Sequence, residues 1–255
     1  MTLTLEQLSA HCDALLNVSA FKDYCPNGLQ VQAVDGATVV KKIITGVTAS
    51  EALIDEAILQ KADVLIVHHG YFWKGEKEAL VGVKGRRIRK LMQHGISLLA
   101  YHLPLDAHPE LGNNVQLAAK LGFTITGGLD DEQYPIGLVG ELAEVQSLGA
   151  LQQNIDLVLD RPSLLIGDSG TEVSQVAWCT GAAQSYIERA AGKGVDCFIS
   201  GEISEPTVHL ARELGIAYIA AGHHATERYG VKALGESLQS QFSLDVSFVD
   251  VPNPV

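Results

Sequence analysis

Several things are scarce in this chain of 255 residues, and each scarcity closes off a class of protein. Only four residues are cysteine (Cys12, Cys25, Cys179 and Cys197), and no two form a C-x-x-C pair. That is too few for a disulfide framework at this length and predicts reduced thiols in a cytoplasmic protein. Basic residues are few, 18 Lys and Arg against 30 Asp and Glu, and the resulting net charge of −12 argues against a surface that grips nucleic acid through its phosphates. No run approaches the roughly 18 apolar residues that span a bilayer. The opening MTLTLEQLSAHCDALL lacks a basic segment followed by a continuous apolar one, so neither a membrane span nor export by such a signal is expected. Walker A, G-x-G-x-x-G and G-x-S-x-G patterns are missing too, which removes the common nucleotide-binding loops and the serine nucleophile elbow. What remains is 47% hydrophobic and 19% charged, the make-up of a globular chain with one large core or two smaller ones.

The chain carries an internal repeat. Ile43–Val67 can be laid over Val176–Ser200 without gaps, at a constant offset of 133. Each copy starts with an apolar strand (KKIITGV in the first), passes a small turn and enters a helical pattern. Leu53, Ile54, Ala57 and Ile58 in one copy answer to Tyr186, Ile187, Ala190 and Ala191 in the other. Both then pass an aspartate, Asp63 or Asp196, and run into a second apolar strand, VLIV or CFIS. The match resumes at an offset of 120, where HGISLLAYH faces LGIAYIAAG, so the first copy holds thirteen extra residues. The predicted class is therefore α/β, with two similar duplicated lobes built on β-α-β units. We expect a first lobe over residues 1–128, carrying an inserted loop at 71–90, and a second over 129–255.

Nine histidines are present, and the informative ones follow apolar strands. His68 and His69 come after VLIV, at the carboxyl end of a buried strand, where open α/β sheets place their ligands. YHLPLDAHP offers His102, Asp106 and His108; AGHHATE offers His223, His224 and Glu227. The four-residue spacings His102 to Asp106 and His223 to Glu227 put imidazole and carboxylate on one face of a helical turn. Imidazole and carboxylate without thiolate suit an open, catalytic kind of site for Zn²⁺, Fe²⁺ or Mn²⁺ rather than a closed structural zinc. Carboxylates can bridge two ions, and a pair of ions activates water near neutral pH. His11, His94 and His209 read as ordinary surface or core residues.

GVTAS at 46–50, VHHGYFWKGE at 67–76, HLPLDAHPELGNN at 102–114, SGE at 200–202 and AGHHATERYG at 221–230 resemble, segment by segment, the bacterial YbgI-like proteins. These are the GTP cyclohydrolase I type 2 homologs, a family of dinuclear metal-binding proteins. YCPNGLQVQ near the start and DVPNPV at the end fit the same resemblance, which covers essentially the whole chain. The resemblance implies a ring-like homohexamer and a metal pair in the cleft between two lobes. It carries the ligands over onto His68, His69, Asp106, His223 and Glu227. It leaves His102 as either a sixth ligand or a base that manages protons beside the metals. The expected function is a metal-dependent hydrolase that uses a metal-activated water on a small molecule such as a nucleotide or cyclic amide. The alternatives are a metal carrier or regulatory metal-binding protein, and a ring whose metals only hold the lobes together.

The insertion after Gly70 holds Tyr71, Phe72, Trp73 and Lys74, which either stack on a nucleobase or pack the loop. Lys84, Arg86, Arg87, Arg89 and Lys90 crowd into seven positions, and on a helix they spread around its circumference as a solvated face.

Overall fold

The computed structural model describes residues 2–255, which fall into two units. One comprises the segment ending at Leu105 together with Gly230–Pro252; the other comprises Asp106–Tyr229 and Asn253–Val255. No helix among the described residues is long and apolar enough to cross a membrane.

The first unit is organised by a five-stranded sheet in the order Asp245–Phe248, Lys42–Thr48, Val64–His69, Ser97–Ala100 and Gly28–Val31. Only the last is antiparallel to its neighbour. Val64, Leu65, Ile66 and Val67 are all buried, as the unbroken apolar run demands of a central parallel strand covered on both faces. Each such side chain contributes roughly 1.5–3 kcal/mol of burial, offset by the entropy of ordering the chain. The crossover helix Glu51–Leu59 starts where Ser50 accepts a hydrogen bond from the Leu53 amide, and it buries Leu53, Ile54 and Ala57.

The second unit has a six-stranded sheet in the order Phe123–Gly128, Leu138–Ser147, Glu172–Cys179, Cys197–Ser200, Ala217–Ala220 and Leu164–Ile166. Its three central parallel strands repeat those of the first unit residue for residue. Ile43 pairs with Val64 and Val176 with Cys197, which preserves the offset of 133; Val64 pairs with Ser97 and Cys197 with Ala217, which brings in the offset of 120. The likeness reaches individual atoms. Asp63 Oδ2 accepts from the Lys41 and Lys42 amides, and Asp196 Oδ2 accepts from those of Ser174 and Gln175, the same positions in the second copy. The duplicated α/β class read from the sequence is thus the class of the structure.

Two expectations differ from what is observed. The units do not divide after residue 128, because the chain returns: helix Arg228–Phe242 begins at the second boundary, and strand Asp245–Phe248 pairs with Lys42–Thr48 in the first sheet. A repeat locates the copied core but not a terminal strand added to its edge. The expected loop at 71–90 is a loop only in its first half, since Gly82–Gln93 is helical. There the basic run finds acids on the crossover helix: Lys90 pairs with Asp55, and Arg86 Nη2 lies 3.5 Å from Glu51. Exposed pairs of this kind contribute little to stability.

Candidate metal centre

His68 and His69 end a strand whose alternation should send their rings apart, yet the ring centroids are 4.5 Å from each other. His102, just past the next strand, adds a third ring 5.1 Å from His68 and 5.9 Å from His69. One ligating atom from each of the three lies within 4.8 Å of the others. His68 is fully buried, and its Nδ1 is 2.9 Å from the Tyr101 carbonyl. A carbonyl only accepts, so Nδ1 carries a proton, and in the neutral ring Nε2 holds the lone pair. His69 Nδ1 is 3.2 Å from Thr48 Oγ1.

His102 is held by a buried carboxylate that the sequence reading missed. Its Nδ1 is 2.7 Å from Asp23 Oδ1, and its backbone amide donates to Asn27 Oδ1 at 2.7 Å. Burial raises the Asp23 carboxyl, but the hydrogen bond and charge of His102, with donors from Asn27 and Leu103, outweigh it and hold the group below its usual value. Trp73 stands edge-on to His102, with centroids 5.0 Å apart at 83°, and 6.0 Å from His69. Its neighbours in the insertion are structural: Tyr71 is buried and donates to the Ala49 carbonyl, and Phe72 lies under the Lys84 ammonium.

In the second unit Asp106 is 5% exposed and is gripped through one oxygen, Oδ1, which accepts from Asn113 Nδ2 at 2.8 Å and Thr180 Oγ1 at 3.3 Å. Asn114 ties the same turn to Thr180 by accepting from its amide and donating to the Asp106 carbonyl. His223 stands between two carboxylates. Its Nδ1 is 2.6 Å from Glu202 Oε1, and its Nε2 is 3.1 Å from Glu227 Oε2. Burial lowers the His223 pKa, but the hydrogen bonds and charges of Glu227 and Glu202 outweigh burial and raise it to about 9. Asp106 and Glu227 also act together on one thiol: burial first, then these two charges, push Cys179 well above its usual value.

Gly181 makes room for this arrangement. It is left-handed at φ +67°, and a Cβ there would sit 2.1 Å from Glu227 Oε1 and 3.2 Å from His223 Nε2. Gly181→Ala is expected to displace the Glu227 carboxylate, with backbone strain on the order of 1–3 kcal/mol in addition. Metal analysis together with a thermal melt checks this: full metal loading at an unchanged melting temperature would contradict it.

The remaining candidates do other work. His108 Nδ1 accepts from the Glu110 and Leu111 amides and so closes a turn. The His224 amide donates to the Val255 carbonyl. His209 pairs with Glu205 on an exposed helix face, and the His11 ring meets Phe242 edge-on at 4.9 Å. All four cysteines are free and buried, and burial pushes the Cys12 and Cys25 thiols up to about 12, so they remain protonated at neutral pH. Asp23, Asn27, Asn113, Asn114, Thr180 and Glu202 escaped the sequence reading; Asn27, Asn113, Asn114 and Glu202 lay inside motifs already noted, but single-letter patterns do not say whom an amide or carboxylate faces.

Fold and donors together define a duplicated α/β protein with clustered imidazoles in one unit and histidine–carboxylate groups in the other. Residues 3–254 match the family Duf34/NIF3 (NGG1p interacting factor 3), and the chain belongs to that family. It is 51% identical over 255 residues, all of both chains, to the GTP cyclohydrolase 1 type 2 homolog of Pseudomonas aeruginosa. To the protein of that name from Vibrio cholerae it is 53% identical over 251 residues, 98% of each chain. Among solved structures it resembles the protein ybgI, of unknown function, with a TM-score of 0.94 at 50% identity over 99% of this chain and 100% of that one.

Proposed function

We propose that this chain is a metal-dependent hydrolase in which His68, His69, Asp106, His223 and Glu227 hold two divalent ions of zinc, iron or manganese. One observation carries the reading: four of these five side chains have one polar atom anchored by a residue outside the set. Tyr101 holds His68, Thr48 holds His69, Asn113 and Thr180 hold Asp106, and Glu202 holds His223. Ligands oriented by outer hydrogen bonds are what a metal site requires. The donors fit the ions chemically, being nitrogen and oxygen with no thiolate in the set. Gly181 keeps space beside Glu227 that any side chain would fill.

When bound, such ions supply Lewis acidity and bring the pKa of water toward neutrality. His102 accepts a proton from the attacking water and returns it to the leaving group, with its ring set by Asp23. Trp73, beside His69 and His102, excludes water on one side and offers a flat apolar wall. That wall and the name of the relatives support a planar heterocycle, a nucleotide or a cyclic amide, as substrate. The four buried, free thiols support work in a reducing cytoplasm, and the hexamer implied by the family resemblance belongs to the same proposal.

The test is turnover by metal-loaded protein on a panel of nucleotides, cyclic amides and phosphoesters. We expect at least one class to be hydrolysed and chelation to abolish the activity. A flat result across the panel with full metal occupancy would overturn the hydrolase and leave a metal carrier.

A further inference from the structure

We propose that Asp23 is a positioning residue: it fixes His102 in the tautomer with the proton on Nδ1, so that Nε2 presents its lone pair toward the His68 and His69 rings. The inference deepens the hydrolase reading, since it states how His102 is kept able to accept a proton, but its evidence is independent of any reaction.

The Asp23 side chain is 2% exposed, and every hydrogen bond it makes is as an acceptor. Oδ1 accepts from the Tyr24 amide at 2.6 Å and lies 2.7 Å from His102 Nδ1; Oδ2 accepts from the Leu103 amide and from Asn27 Nδ2, both at 2.9 Å. A carboxylate offers about four lone-pair positions. Three are taken by groups that can only donate here, and the fourth is usable by His102 only if Nδ1 bears a hydrogen. Asn27 closes the arrangement, because its amide nitrogen donates to Asp23 while its oxygen accepts from the His102 backbone. Ring plane and proton position are therefore set from outside the imidazole cluster. Asp23, Cys25 and His102 also form a compact group of metal-ligating residue types. The same saturation argues against an ion there, because the carboxylate has no lone pair left.

Asparagine at position 23 reverses the pattern. Putting the amide nitrogen at the Oδ2 place would face it against two donors, Leu103 and Asn27, whereas the Oδ1 place costs only the Tyr24 contact. The amide therefore donates to His102 Nδ1, and the ring proton moves to Nε2.

The experiment is long-range proton–nitrogen NMR of the His102 side chain in metal-free, full-length protein at alkaline pH, where imidazoles are neutral. The signal is assigned with His102→Gln. The unmodified chain should show a protonated Nδ1 and a lone-pair Nε2, and Asp23→Asn should exchange the two. A proton on Nε2 in the unmodified chain overturns the proposal, as does an Asp23→Asn variant that melts normally and keeps the original pattern. If the variant does not fold, the spectrum of the unmodified chain decides alone. A correct tautomer with no hydrolysis on any substrate would sink the hydrolase and leave the positioning role intact.

Discussion

Replacing His68 or His223 with alanine is expected to strip the chain of metal, whereas His11→Ala and His94→Ala should load normally. Removing an outer hydrogen-bond partner of a metal ligand costs roughly 10–100-fold in affinity, and loss of the ligand itself should exceed that. The controls are well separated in chemistry. His94 is exposed, and the His11 ring packs edge-on against Phe242. The unmodified chain should also lose metal in acid, for a reason visible at His223. Its pKa is raised to about 9, so at neutral pH the ring is protonated between Glu202 and Glu227, and an incoming ion must displace that proton. Affinity should then rise with pH and level off above the His223 pKa, falling about tenfold per unit below it if this proton alone competes. Metal analysis and competition titrations across pH measure both effects. Full loading of His68→Ala, or affinity independent of pH, would remove these residues from the ligand set.

The second large effect separates proton handling from metal binding. His102→Gln should keep most of the metal and lower turnover by roughly 10²–10⁴, the usual contribution of one general acid–base group. Glu227→Gln should lose metal and activity together, because Glu227 is 3% exposed, shares the His223 ring with Glu202 and has no role in the proposal except as a ligand. If the His102 variant loses metal as completely as the Glu227 variant, His102 is a sixth ligand. If it keeps both metal and turnover, it is a bystander.

The repeat was legible because parallel strands covered on both faces have to be apolar and their crossover helix has to show period 3.6, and both leave a signature in letters. That is why the 133 and 120 offsets survive as strand register, down to the paired caps of Asp63 and Asp196. The chemistry was legible only in part, because the two copies diverged where it resides. The positions answering to His68 and His69 hold Gly201 and Glu202, and Glu202 became the partner of His223. Gly181 answers to Thr48, the residue that holds His69. No internal comparison could have assigned these roles.

By itself, then, the sequence determined the α/β class, the duplicated core and the histidine–carboxylate clusters after its strands, since these depend on local periodicity and on residue types at short spacing. Only the tertiary structure decided the unit boundaries and the anchoring of the donors. Asp23 meets His102 across 79 positions, Thr180 meets Asp106 across 74, and strand Asp245–Phe248 joins Lys42–Thr48 across some two hundred. Such contacts depend on where folded segments arrive, and a hydrogen bond between residues so far apart leaves no period in the chain.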